Sequence, residues 1–315
     1  MRDAKWDNIK GILIILVVFG HVFYPYKGTG MTEYLVKGIY FFHMPAFIFV
    51  SGYFSHVHAT LNYKALLKLA ICYFIMNTML MAYDYFVLGH AIKLLVPYYS
   101  SWYLLALIVW RVVLQLLHRY NSVAVLGFSL LLAFAAGWQG AIDNTLCLAR
   151  IIAFFPFFYA GYMYQTAAKA QPVLETGEPE GKTGRPDAAS VLSKVMGAAA
   201  LLGSLAAMYY LIAYHEFKMG HFLMHAYGGY PDMLKRGVIF IIAFAMIAGL
   251  VLLATGRNTY IAKLGKNSLT IYLFHRIFVL LYNHFMPDME YGTAAILCGT
   301  VFGIVIYCRN GNPRD

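Results

Sequence analysis

The sequence predicts an all-α integral membrane protein, a bundle of about ten transmembrane helices with both termini in the cytoplasm. Three observations predict it. Of 315 residues, 61% are hydrophobic and 12% charged, about half the charged share of an ordinary soluble domain. Apolar runs repeatedly reach the roughly 20 residues that a spanning helix needs. The lysines and arginines cluster between those runs, so the formal net charge of +10 reads as topology and the lipid bilayer as a partner. A nucleic-acid binder would gather that charge on one wet face, and no nucleic-acid partner is expected.

The runs fall near 9–27, 35–55, 65–89, 99–117, 122–139, 147–166, 194–214, 236–255, 267–286 and 293–308. The first is followed by Tyr24-Pro25-Tyr26 and not by small residues, so it is expected to stay as a helix and not to be cut as a secretory signal. With the amino terminus inside, fifteen basic residues fall on the cytoplasmic side and seven outside, leaving Arg111 and Arg276 within helices; the positive-inside rule favours this orientation. Residues 168–190 carry three Pro, three Glu, three Gly and no aromatic residue. They are expected to form a flexible cytoplasmic linker inside one domain, between helices 1–6 (residues 1–167) and helices 7–10 (residues 191–315). The sizeable outer loop, 215–233, holds His221, His225, Tyr227 and Tyr230. Cys72, Cys147, Cys298 and Cys308 share no C-x-x-C spacing, which suggests buried packing residues and no metal site.

Lys10 and His21 are eleven residues apart, about three helical turns, so both leave one face of the first helix, with His21 roughly 16 Å above Lys10. That spacing predicts an imidazole near half the depth of the hydrocarbon core, where ionisable groups are costly and mark functional cavities. Asp7 lies one turn from Lys10, and the pair also fits an interfacial ion pair. Deletion of the Pro45 amide from the second run leaves the Phe41 carbonyl needing a partner, so His43 fits either substrate contact or helix packing. Arg111 can snorkel as a membrane anchor, whereas Arg276 beside His275 calls for an anionic partner in the bundle.

The opening Lys5-Trp6-Asp7-Asn8-Ile9-Lys10-Gly11 with His21 resembles the first-helix signature of the integral-membrane acyltransferase family 3. Four further segments continue the resemblance in order: Phe41 to Gly52 around His43-Met44-Pro45, Trp102-Tyr103-Leu104, Arg150 with Phe154 to Phe158 and Gly161-Tyr162, and Leu264 to Leu269 with Tyr272-Leu273-Phe274-His275. Within that family the chain looks most like the fucose 4-O-acetylase-like acetyltransferases. The resemblance implies a multi-pass protein of the cytoplasmic membrane that takes an acetyl group from acetyl-CoA, its donor substrate, with no metal. The implied acceptor is a hydroxyl of an extracytoplasmic or lipid-linked sugar or polysaccharide of the cell envelope.

On this reading His21 is the general base, a task suited to an imidazole. Lys10, with Lys266 or Lys263, attracts the phosphates of coenzyme A, and Asp7 holds Lys10. Ser51 belongs to the donor side, either as a contact or as the nucleophile of an acyl-enzyme route. His43, Trp102, Arg150, Tyr272, His275 and Arg276 form the acceptor or supporting site, in which an indole can stack on a sugar and arginine can bond its hydroxyls. A different class, a secondary transporter or flippase for a glycan-related solute, would also suit buried histidines in a multi-helix bundle.

Overall fold

Several helices begin where a short polar side chain can satisfy their free amides. Asp3 accepts from the Lys5 amide at 2.9 Å and opens α1 (Ala4–Val22). Asn62 caps α3 (Tyr63–Phe86) through the Ala65 amide, Asn121 caps α5 (Ser122–Ala135) through Ala124, and Thr259 caps α9 (Tyr260–Lys266) through Ala262. Between them run α2 (Gly30–Tyr53), α4 (Trp102–Leu117), α6 (Leu148–Ala170), α7 (Ala188–Tyr214), α8 (Tyr230–Leu253) and α10 (Ser268–Phe285). The structure, a computed structural model, describes residues 3–26, 30–140, 145–170, 188–215, 226–285, 298–299 and 303. Among the described residues there is no strand.

Five helices, α2, α3, α6 with its preceding turn, α7 and α8, are long and apolar enough to cross a membrane. The helices α4 and α5 are apolar but shorter. Nine of the expected runs meet a described helix, while the tenth, 293–308, lies almost wholly outside the described residues. The structure adds α9, whose seven residues include two lysines and are too few to register as an apolar run.

Two boundaries are corrected. Pro231 in the first turn starts α8 at Tyr230 and not at 236, because proline lacks the amide that a helix start leaves unpaired. Lys235 and Arg236 are thereby helical, and Arg236, only 2% exposed, donates to the Ala133 carbonyl at 2.7 Å. The expected linker 168–190 shortens at both ends, since α6 runs through Ala170 and α7 starts at Ala188. Residues 171–187, and 216–225 with His221 and His225, lie outside the described residues.

Glycines set how closely the central helices approach, as small residues do where helices cross in lipid. A Cβ at Gly11 would run into the Ile261 carbonyl, and one at Gly265 into the Asp7 carbonyl, so α1 and α9 touch backbone to backbone. Gly52 and Gly161 do the same for α2 and α6, against the Phe158 and Phe49 carbonyls. The helix α2 is the centre of the bundle, with 72% of its span buried, against 17% for α3 and α7 at the rim. A polar group on its buried face, such as His43, therefore has to be satisfied in the interior.

Candidate active site

Lys10 and His21 project along α1 as their spacing predicts, but they serve different ends of the helix. The Lys10 ammonium meets the Asp7 carboxylate at 2.7 Å and lies 4.7 Å from the centre of the Phe54 ring. His21 stands on the last turn of α1. Because the helix begins at Ala4, this is roughly 25 Å along it, near the end opposite Lys10.

At that end three helices converge on one imidazole. Nδ1 of His21 faces the Tyr40 hydroxyl of α2 at 2.9 Å and Nη1 of Arg276 of α10 at 3.2 Å. The His21 ring stacks on that of His275, 5.3 Å between centres. Tyr40 also sets its edge against His43, 5.0 Å away. Gly20 makes this approach feasible, since a Cβ there would lie 3.0 Å from Ile39 Cγ2 and 3.3 Å from Tyr40 Cε2.

The other two histidines are fixed by backbone carbonyls. His43 Nδ1–H donates to the Ile39 carbonyl at 2.6 Å, and His275 Nδ1–H to the Tyr272 carbonyl at 2.8 Å. Each therefore presents Nε2 as a bare acceptor. The His275 Nε2 is buried and has no hydrogen-bond partner among the described residues.

His21, Tyr40, His43, Tyr272 and Arg276 line a cavity of about 410 Å³ together with Tyr24, Tyr99, Trp102 and Arg150. The Arg150 guanidinium lies 5.1 Å from the Trp102 ring centre. Tyr272 donates to the Ser100 carbonyl and is held against Tyr103. The anionic partner expected for Arg276 is replaced by rings: its guanidinium lies over Tyr99 at 4.9 Å, and Tyr99 in turn donates to Asp84 at 2.6 Å. The sequence profile of the family described as Acyltransferase domain matches residues 3–308. The chain belongs to acyltransferase family 3.

A stretch of 59 residues is 48% identical to Nodulation protein NolL of Mesorhizobium japonicum, and the same identity holds for Nodulation protein NolL of Sinorhizobium fredii. The match covers 17% of this chain and 16% of each relative, so the chain spans about a sixth of the length of the curated relatives it matches. No solved structure matches.

This family 3 acyltransferase has a second cavity, of about 210 Å³, at the Lys10 end of the bundle. Phe54, Ser55, His56, His58, Asn62, Arg111 and Gln115 are among its walls. Arg111 thus lines a cavity. Gln115 ties this mouth to the loop after α2 by donating to the His58 carbonyl at 2.6 Å. His56 stands below its ordinary pKa, first through burial and then through Lys169 and His58, and Arg111 brings a guanidinium to this cavity.

His43, Phe47 and Ser51 of α2 and Ser55 just beyond its end recur every four residues, with His43 lining one cavity and Ser55 the other. Phe47 and Ser51 fill the interval, and Tyr103 closes it, 5.7 Å from the Phe47 ring and 2.5 Å from the Ser51 hydroxyl. Ser51 also donates to the Phe47 carbonyl at 2.9 Å. Its recorded partners are a phenol and a carbonyl; no imidazole or carboxylate that could activate it as a nucleophile is among them.

Of the residues singled out from sequence, His21, His43, Trp102, Arg150, Tyr272 and Arg276 line one cavity, with His275 stacked behind His21. Asp7 and Lys10 form their own pair, and Lys266 is exposed on α9, where the adjacent Gly265 packs on Asp7. Tyr227 covers Arg236 with its ring 4.4 Å from the guanidinium, and Tyr230 packs on Trp138. Sequence reasoning missed Tyr40, Tyr24, Tyr99 and the cavity role of Arg111. The signal for Tyr40 was its position three residues before His43, on the same helical face.

Proposed function

We propose that this chain is a membrane-embedded O-acyltransferase that moves an acetyl group from acetyl-CoA to a sugar hydroxyl, on the pattern of the fucose 4-O-acetylase-like branch. The observation that carries the proposal is the cavity in which His21, the histidine of the family's first-helix signature, meets Tyr40 and Arg276 beside two further imidazoles. In this reading the chain crosses the bilayer about ten times with both termini in the cytoplasm, as the distribution of basic residues favours. The donor approaches from the Lys10 end. The phosphates of coenzyme A pair with Lys10, Arg111 and Lys266, while the thin pantetheine arm extends along the α2 face past Ser51 and Tyr103 toward His21.

The acceptor enters the 410 Å³ cavity, where Trp102 offers a flat apolar face and Arg150 hydrogen-bond donors to a sugar. Its hydroxyl oxygen attacks the thioester carbonyl carbon while the hydroxyl proton passes to His21. The tetrahedral oxyanion is stabilised by the fixed charge of Arg276 in a dry site. Collapse breaks the carbon–sulfur bond, and the leaving thiolate takes the proton from the imidazolium, so ester and free coenzyme A result.

The test is transfer of isotopically labelled acetyl from acetyl-CoA to a mixed pool of bacterial glycans, by wild type and His21→Ala in liposomes, with mass spectrometry of the products. Labelled ester from wild type alone is the expected result. Wild type that neither binds coenzyme A nor forms ester would sink the reading and favour solute transport.

A further inference from the structure

The proton path at His21 is written in its hydrogen bonds. Arg276 has only N–H donors and no acceptor, so an imidazole nitrogen that faces Nη1 at 3.2 Å has to present its lone pair. The Tyr40 hydroxyl, 2.9 Å from the same Nδ1, is then a donor as well. His21 therefore rests as the tautomer with hydrogen on Nε2, opposite to His43 and His275, whose Nδ1–H groups are spent on carbonyls. A base accepts through a lone pair, and that of His21 is on Nδ1, already covered from two sides. A third group cannot reach it in this arrangement. The Tyr40 oxygen, in contrast, keeps acceptor capacity after donating, and it lines the cavity.

We infer that Tyr40 is a further catalytic residue, a phenol that relays the acceptor's proton to His21 Nδ1. The inference rests on the acyl-transfer reading. As the acceptor oxygen attacks the acyl carbon, its proton goes to the Tyr40 oxygen and the Tyr40 proton goes to Nδ1. The phenol ends neutral and His21 becomes the imidazolium. On collapse the carbon–sulfur bond breaks with its electron pair going to sulfur, and one proton returns from the imidazolium to the thiolate. No other reactant is required. Arg276 has two tasks here: it holds Nδ1 in the acceptor state and faces the developing oxyanion.

The test has two arms that separate this inference from the reading beneath it. The first needs no substrate: 15N-histidine NMR of the full chain in nanodiscs, with His21 assigned by its loss in His21→Gln. Hydrogen on Nε2 and a bare Nδ1 are expected, and hydrogen on Nδ1 would overturn the relay whatever the enzyme transfers. The second is kinetic. Tyr40→Phe is expected to lower kcat by about 100-fold, the low end for one proton-transfer group, with the KM for acetyl-CoA unchanged. Tyr34→Phe, on the same helix but against Tyr209, is expected to match wild type. Because Tyr40→Phe could perturb packing, 3-fluorotyrosine at position 40 keeps the ring and its bonds while making the phenol more acidic. A changed kcat with unchanged donor KM supports the relay, and wild-type kcat in both Tyr40 variants would overturn it. If wild type forms no ester at all, the acyl-transfer reading fails while the NMR arm still decides the tautomer.

Discussion

The two cavities, one lined by His43 and the other by Ser55, are built in different ways. The one around His21 takes most of its polar groups from helices, with Tyr99 and Ser100 from the segment before α4, and these groups are pinned: each imidazole has a fixed partner, and Arg276 lies between a nitrogen and a ring. The one around Arg111 takes His56, His58, Leu61 and Asn62 from the segment between α2 and α3, with a glutamine as the tie. On the proposed reading, the difference separates the end suited to proton transfer from the end suited to holding the donor. Proton transfer needs groups held within a few tenths of an ångström, whereas phosphates tolerate flexible cations.

The comparison breaks hardest at His21. His21→Ala is expected to lower kcat by about 1,000-fold, within the range for a proton-transfer group, while calorimetry in nanodiscs finds coenzyme A bound as in wild type. Loss of coenzyme A affinity of the same size would mean that the two ends are not separate. Next comes Arg276→Lys, which keeps the charge but loses the planar fork that meets Nδ1. About a 100-fold fall in kcat is expected for the loss of such a fixed donor, and steady-state kinetics with kcat intact would show that the charge alone suffices.

At the other end the effect should move from kcat to KM. Lys10→Ala is expected to raise the KM for acetyl-CoA about 10-fold, a uniform-binding effect, with acceptor KM and kcat near wild type. Added salt should shrink the gap between variant and wild type, because screening weakens the wild-type contact. A change in acceptor KM instead would reassign Lys10. Ser51→Ala is the smallest: a fall in kcat of less than about threefold is expected, since nucleophile removal would cost orders of magnitude more. A near-complete loss, together with a trapped acetyl-enzyme in wild type, would restore the acyl-enzyme route.

Much of the His21 cavity was legible because its residues sit in distinctive local sequence. His43 precedes a helix-breaking proline by two residues, and Arg276 and His275 adjoin in an apolar run. Tyr40 had only a faint signal, its place one turn before His43. Among 26 tyrosines that spacing does not say what a phenol faces. The cavity at Arg111 was missed for a related reason, since periodicity gives its face on α4 but not what adjoins that face. The α9 helix escaped because seven residues make two turns, too short for an apolar period to show. Its place against α1 depends on Gly11 and Gly265 meeting across more than 250 positions of sequence.

The sequence by itself determined the helical class, the apolar runs that five described helices use to reach membrane-spanning length, and the shared face of Lys10 and His21. These follow from composition and from the covalent repeat of one helix, which act over a few turns. The tertiary structure alone decided what meets Nδ1 of His21: Arg276, 255 residues away, and Tyr40 on another helix. A hydrogen bond depends on tenths of an ångström between atoms that only the packed bundle brings together.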